Sequence, residues 1–90
     1  MGKGVSVRVA SPLRSYTGGA PTVTACGATV AELLADLERR FPGMRFRMID
    51  EQDGIRPHIR LYAGTHEVRR LDEGMEPEAT LHIICALSGG

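Results

Sequence analysis

The last three residues, Ser88-Gly89-Gly90, are the residue types in this chain that most suggest chemistry. A glycine pair stabilises neither a helix nor a strand, and ordering it costs more backbone entropy than ordering other residues. Because glycine has no Cβ, a terminal carboxylate on Gly90 can pass through a channel too narrow for a side chain. We expect Gly90 to carry a reacting group, Gly89 to give a narrow approach, and Ser88 and Leu87 to provide reach. A frayed tail without a role is the alternative.

Other residues with catalytic or metal-binding potential are few. The sequence contains three histidines: His58, His66 and His82. Their spacing fits no metal-ligand motif, so we interpret them as surface side chains and predict neither a metal site nor a catalytic residue. Cys26 and Cys85 are also too far apart for such a motif. Because Cys85 shares the alternation of Leu81 and Ile83, we expect it to point inward as a small apolar side chain and not as a reactive thiol.

Short alternating patterns predict the strands that must position the tail. Residues 5–9 alternate between valine and polar side chains, which is the period of a half-buried strand. Gly18-Gly19 indicates a turn, so this strand and the next form a hairpin. Similar patterns predict further strands at 22–26, 58–62, 66–68 and 80–87.

Between the second and third predicted strands, the period changes to that of a helix. Five apolar residues share one helix face: Val30, Leu33, Leu34, Leu37 and Phe41. We expect Thr29 to cap this helix and Glu32 to complete a capping box. Pro42-Gly43 should end the helix after Arg40.

Two connecting segments have mixed patterns. Residues 46–49 predict a short second helix that covers one edge of the core, and residues 50–54 predict a solvated loop. A later connection is acidic because it contains Asp72, Glu73, Glu76 and Glu78. We interpret this acidic cluster as a solvated loop, with a docking surface as the alternative.

Length and charge limit the class of protein. We predict one small domain spanning residues 1–90, with a flexible tail at 88–90. The 11 basic and 11 acidic side chains cancel, which argues against nucleic acid or an anionic membrane as a partner. No apolar stretch approaches the ~18 residues needed to span a bilayer, and nothing resembles a secretory signal. We therefore expect a reduced, cytoplasmic protein.

Several segments resemble one known superfamily. Residues 80–90 resemble the end of ubiquitin, whose last strand likewise runs Thr-Leu-His and leads to Leu-x-Gly-Gly. Nearly the whole chain is similar to the MoaD/ThiS superfamily of prokaryotic sulfur carriers, and it fits best with the CysO-type branch. The matching segments, in the same order, are Thr17-Gly18-Gly19, the helix at 29–40, Met48-Ile49-Asp50 and Ile59-Arg60-Leu61-Tyr62.

The resemblance implies an α+β fold of the β-grasp (ubiquitin-like) type. In this fold a mixed sheet wraps around one main helix, and the last strand runs parallel beside the first at the sheet centre. Alternation then predicts that Ile83 faces the helix, whereas Arg8, His82 and Ile84 face outward. Relatives dock their activating enzymes through this outer face, so these three are the implied docking residues. An exposed isoleucine leaves roughly 1–2 kcal/mol of burial unrealised. The alternative is that a side chain from 60–62 covers Ile84.

The resemblance also implies the chemistry of the terminus. An ATP-dependent activating enzyme, related to ubiquitin-activating enzymes, joins the Gly90 carboxylate to AMP, and a sulfur donor converts it to a thiocarboxylate. The chain is then a substrate and not an enzyme. It needs no cofactor, because ATP, Mg²⁺ and any Zn²⁺ belong to the enzymes. The implied partners are the ATP-dependent adenylating and sulfurtransferase enzyme, a sulfur-acceptor synthase, and a metalloprotease that releases the product.

The residues before Ser88 bear on the pathway. They differ from the Pro-Pro-Val-Ala type of ending common in molybdopterin carriers, and thiamin-type carriers lack most of segment 44–57. We therefore prefer a role in the biosynthesis of cysteine or of a related amino acid or secondary metabolite. The alternatives are a carrier like the small subunit of molybdopterin synthase, a ubiquitin-like modifier conjugated to lysines, and a non-covalent interaction module whose Gly-Gly end is incidental.

Overall fold

A five-stranded sheet covered by one main helix forms the fold. The computed structural model describes residues 4–86. The elements, in chain order, are β1 Val5–Arg8, β2 Thr22–Ala25, α1 Val30–Arg40, α2 Met44–Met48, β3 Ile59–Ala63, β4 His66–Val68 and β5 Leu81–Cys85. A short 3₁₀ turn, Ser11–Leu13, follows β1 and was not predicted from the sequence.

The strands form a mixed sheet in the order β2-β1-β5-β3-β4. β5 pairs in parallel with β1 and antiparallel with β3, so the last strand occupies the centre, as expected. The β1–β2 and β3–β4 pairs are antiparallel. Gly18 and Gly19 adopt φ values of +67° and +90° in the first connection, a conformation that favours glycine. The predicted α+β, β-grasp architecture is therefore confirmed.

One face of the sheet packs against α1. The helix buries four side chains completely: Val30, Leu33, Leu34 and Leu37. The strands contribute their alternate residues, which include Val5, Val7, Val9, Leu61, Leu81 and Ile83. This burial confirms four residues of the predicted helix face and the predicted inward face of the sheet. The fifth, Phe41, is wrong as a helical residue, because it is the C-cap beyond α1 and packs against the core only partly buried. The core also contains Leu13, Met44 and Met75, which the sequence patterns did not indicate because turns and very short helices have no usable period.

Several strands differ from their predicted ranges by one or two residues, and a backbone contact explains the difference for β2. β2 ends at Ala25, one residue early, because the Cys26 N–H donates to the Asp36 carboxylate at 2.9 Å and not to a neighbouring strand. β3 lies one residue later than predicted. β5 ends at Cys85, before the predicted end at residue 87, which lies outside the described residues.

Asp36 ties the edge strand β2 to α1. Its side chain is 10% exposed, and it pairs with Arg39 and Arg40 on the next helical turn. The hydrogen bond from the Cys26 N–H, followed by the charges of the two arginines, lowers the pKa of Asp36. Arg40 also donates a guanidinium hydrogen bond to the Thr24 carbonyl of β2.

Side-chain caps define the start of α1. The Thr29 hydroxyl accepts a hydrogen bond from the Glu32 N–H at 3.2 Å, which confirms Thr29 as the N-cap. The predicted capping box is wrong in one detail. The Glu32 carboxylate accepts from the Ala28 N–H at 2.7 Å, one residue before the cap, and not from the N–H of Thr29 itself.

The predicted short second helix is present as α2, but it begins two residues earlier than predicted and ends at Met48, because Ile49 is its extended C-cap. The Glu38 carboxylate accepts hydrogen bonds from the N–H groups of Gly43 and Arg45 at 2.9 and 3.0 Å, so α2 begins directly after α1 ends. These two N–H groups lower the pKa of Glu38. Met44 and Met48 are buried, whereas Phe46 between them is exposed.

Candidate functional site

The predicted reacting group, the Gly90 carboxylate, follows β5 in the sequence. Four predicted site residues lie outside the described residues: Leu87, Ser88, Gly89 and Gly90. Their roles stay predictions. The last described residue, Ala86, donates its N–H to the His58 carbonyl at 2.7 Å, which holds the base of the tail against the start of β3. Because β1 and β5 are parallel, the carboxyl ends of both strands meet at this edge of the sheet.

Arg8, His82 and Ile84 lie together on the outer face of the sheet. Arg8 is the register partner of His82, and Ile84 follows two residues later on the same face. Arg8 is exposed, His82 is half-buried, and Ile84 is 45% exposed. The structure thus brings together the three side chains that alternation placed outward.

The side chain opposite Ile84 does not cover it. Arg60 is the register partner of Ile84 on β3. Its guanidinium donates to the Pro57 carbonyl at 3.0 Å and lies 3.9 Å from the Glu67 carboxylate. Arg60 is therefore directed along its own strand and toward β4, and Ile84 remains available to a partner.

A groove runs beside the last residues of β5. It has a volume of about 400 Å³, and its walls include Arg8, Ser11, Pro12, Arg14 and Ile84. The unpredicted 3₁₀ turn forms its far wall, and Arg14 is fixed there because its Nε donates to the Val9 carbonyl at 3.0 Å. The sequence signal for this turn was Pro12, which favours the first turn of a helix as well as the end of a strand. Its charged wall residues are basic, so the groove favours an acidic partner segment.

Cys85 is the cysteine next to the tail. Its side chain is partly buried and packs against the hydrophobic core. Burial raises the pKa of the Cys85 thiol, and the positive charge of Arg47 offsets this only in part. A raised pKa disfavours the thiolate, which is the reactive form. The geometry therefore agrees with the predicted role as an inward, apolar side chain.

The remaining histidines and acidic residues do not form a metal or catalytic site among the described residues. His58 and His66 are exposed, and the His66 ring lies 2.9 Å from the Glu73 carboxylate. Glu73 also accepts the N–H groups of Arg69 and Arg70, so this member of the acidic cluster organises its own loop. Within residues 4–86, no three His, Cys, Asp or Glu side chains are grouped to hold a metal ion. No helix in this range is long and apolar enough to cross a membrane.

The fold and the sequence of this chain are both similar to those of known proteins. The structure of SAMP1 from Haloferax volcanii has the same fold, with a TM-score of 0.80 and 21% identity over 97% of this chain and 99% of that one. A chain of the Amycolatopsis orientalis BexX/CysO complex matches with a TM-score of 0.89 and 35% identity over 96% of this chain and 99% of that one. Sulfur carrier protein CysO of Mycobacterium tuberculosis is 29% identical to this chain, in an alignment that covers 96% of this chain and 98% of that protein. No protein-family model matches the chain.

The central parallel strand and these structural matches define a ubiquitin-like β-grasp protein. More particularly, the chain belongs to the CysO-type branch of the MoaD/ThiS superfamily of sulfur-carrier proteins. The resemblance expected from the sequence is confirmed.

Proposed function

We propose that this protein carries sulfur as a thiocarboxylate at Gly90 and donates it in the biosynthesis of cysteine or of a related amino acid or secondary metabolite. The observation that supports this proposal is the similarity to CysO sulfur carriers along 96% of the chain, combined with the Gly89-Gly90 pair at its last positions. The slim glycine pair suits a carboxylate that must enter the active site of another enzyme.

The proposed chemistry proceeds in two steps. A carboxylate oxygen of Gly90 attacks the α-phosphorus of ATP, and pyrophosphate leaves. A sulfide equivalent then attacks the carbonyl carbon of the acyl-adenylate, and AMP leaves to give the thiocarboxylate. The activating enzyme binds ATP and Mg²⁺, so the carrier needs no cofactor of its own and acts as a substrate and not as an enzyme.

The outer sheet face is the proposed docking surface for that enzyme. Ile84 offers an exposed apolar contact on the strand that leads into the tail, and Arg8 and His82 flank it. Apolar side chains surrounded by polar groups are typical of interface centres. A partner that covers this face would also hold the base of the tail.

Further partners follow from the need to use the sulfur. CysO of Amycolatopsis orientalis was solved together with BexX. By analogy, we infer that a sulfur-acceptor synthase binds the thiocarboxylated form of this chain, and that a metalloprotease releases the product when the acceptor stays attached. We expect these steps to take place in the cytoplasm.

Reconstitution with the activating enzyme of the same organism tests the proposal. With ATP and Mg²⁺, the intact protein is expected to drive pyrophosphate exchange, and with a sulfide source its mass should rise by the exchange of one oxygen for sulfur. Deleting Gly90 should abolish both reactions, because the carboxylate then lies one residue short of the reaction centre. Gly89→Val should also fail, because its side chain fills the channel and restricts the backbone.

Further measurements separate lost chemistry from unfolding, and the sulfur carrier from the alternative functions. Circular dichroism should give the same folded spectrum for the truncated and intact proteins, so that lost exchange reflects chemistry and not unfolding. Exchange that persists without Gly90 would contradict the proposal. A terminus found only in amide linkage to protein lysines would support the modifier in its place.

A further inference from the structure

We propose that α2 carries a second docking surface, which binds an acidic lobe of the enzyme that takes up the C-terminal tail. This α2 surface is formed by Phe46, Arg47, Arg56 and His58, which line one shallow depression. It rests on the proposed function, because the tail-accepting enzyme is the partner. It is separate from the outer sheet face, since it is built from α2 and the segment that precedes β3.

Phe46 is held in an exposed position. Phe46 and Ile84 are the two large apolar side chains that residues 4–86 expose, and Phe46 is 55% exposed. Its neighbours along α2, Met44 and Met48, are both buried completely. The helix cannot rotate Phe46 inward without removing these two side chains from the core. The exposure of Phe46 is thus fixed by packing.

Arg56 fixes the ring further. Its guanidinium carbon lies 4.4 Å from the centroid of the Phe46 ring, which is the geometry of a cation–π contact. The Nε of the same side chain donates to the Phe46 carbonyl at 2.7 Å. A flat aromatic and arginine pair is therefore held in place before any partner binds. Phenylalanine and arginine are both enriched at protein interfaces, and preorganisation lowers the entropy lost on association.

The α2 surface lies beside the base of the tail. His58 contributes to this surface, and its carbonyl accepts the N–H of Ala86, the last described residue. Arg47 is close enough to Cys85 for its charge to act on the thiol. Ile84 lies on the other face of the same strand. An enzyme that draws the tail into its active site must surround this base, so it would meet Ile84 on one side and Phe46 on the other.

The charge of the α2 surface identifies the partner chemistry. Its charged and titratable lining residues are all basic. Among the described residues, Arg47 and Arg56 form no salt bridge. The nearby Asp50 carboxylate accepts the N–H groups of Gln52 and Gly54, which lower its pKa most, and the charge of Arg56 adds a smaller effect. Because the chain has no net charge, this local excess favours an acidic protein surface over a nucleic acid, whose phosphates require a broader basic face.

Steady-state pyrophosphate exchange with the activating enzyme of the same organism tests the surface. Phe46→Ser and Arg47→Glu are each expected to raise the KM for the carrier about tenfold while kcat stays unchanged. The KM of the unaltered protein should rise with salt, and the KM of Arg47→Glu should rise less. Arg70→Glu is the matched control, because it makes the same charge change away from the α2 surface. Arg70 lies in the loop that contacts the start of α1, whereas α2 follows the end of α1. Its KM should change by less than about twofold.

The outcomes separate this proposal from the proposed function. If the unaltered protein supports no exchange, the partner does not exist and both are wrong. If it supports exchange but the two α2 variants have unchanged KM values, only the α2 surface is wrong. A dimer in sedimentation analysis that Phe46→Ser dissociates would assign the surface to a second copy. Binding of a labelled single-stranded oligonucleotide that Arg47→Glu abolishes would assign it to nucleic acid, and either result overturns the proposal.

Discussion

At the scale of single residues, Ile84 is the side chain whose exposure most needs an explanation. We expect Ile84→Asp to leave the fold intact and to weaken binding to the activating enzyme by about 2 kcal/mol, or roughly 30-fold, because a charge replaces an apolar contact at the interface centre. Titration calorimetry measures the Kd. Thr65→Asp is the matched control, since it adds the same charge in the exposed turn between β3 and β4, at the opposite end of the sheet from the tail. Unchanged affinity for Ile84→Asp, with a native circular dichroism spectrum, would show that another face docks.

The two exposed apolar residues differ in how far the sequence predicts them. Ile84 was predicted because a strand has a period of two, and its neighbours Leu81 and Ile83 fix the phase. Phe46 was assigned to a core-covering helix, and its exposure was not predicted. α2 has five residues, which is too short for a helical period to define a face, so the phase depends on the burial of Met44 and Met48.

At the scale of elements, α1 supplies the apolar side chains that cover the inner face of the sheet. Leu34 is completely buried in the centre of the helix face. Leu34→Ala is therefore expected to lower the free energy of unfolding by about 2–5 kcal/mol, because it removes apolar contacts and leaves a cavity. Urea denaturation measures the change. The exposed neighbour offers a control, and Ala35→Ser should cost less than about 1 kcal/mol. A loss for Leu34→Ala no larger than that of the control would contradict the assigned core.

Element order and faces could be predicted because alternation and helical spacing are local properties of the chain. Element ends could not. The end of β2 depends on Asp36, ten residues away, which captures the Cys26 N–H. The far wall of the β5 groove depends on a 3₁₀ turn at a proline that the sequence analysis interpreted as the end of a strand. The first is a contact between two elements, of which a single sequence carries little trace, and the second is a local turn for which one proline is an ambiguous signal.

At the scale of the whole molecule, acid stability depends on carboxylates that accept backbone N–H groups. Four carboxyl groups have a lowered pKa for this reason first: Asp36, Glu38, Asp50 and Glu73. A pKa that is lower in the folded than in the unfolded state contributes stability above the unfolded value. That contribution is lost as the pH falls through the folded value. With ordinary values of 3.8 for Asp and 4.5 for Glu, the midpoint of thermal unfolding should be nearly constant from pH 7 to about 5 and fall below about 4.

Asp36→Asn isolates one part of this effect. The asparagine oxygen can still accept the Cys26 N–H, but the charge that pairs with Arg40 is lost. The variant should therefore be less stable than the unaltered protein at pH 7, and the difference should shrink as the pH falls below about 4. Thermal unfolding followed by circular dichroism between pH 7 and 2.5 measures it. The exposed Glu51→Gln removes a charge as a control, and a difference that stays constant with pH for Asp36→Asn would contradict the assignment.

The hydrogen bond from Arg40 to the Thr24 carbonyl has a consequence for solubility. β2 is an edge strand, and an edge with unpaired carbonyl groups can template the strand of another molecule. The arginine occupies one of these acceptors with a charged group, and the opposite edge, β4, is only three residues long. With one acceptor blocked on β2 and with β4 so short, both sheet edges are poor templates for strand addition, which disfavours aggregation between copies of the chain.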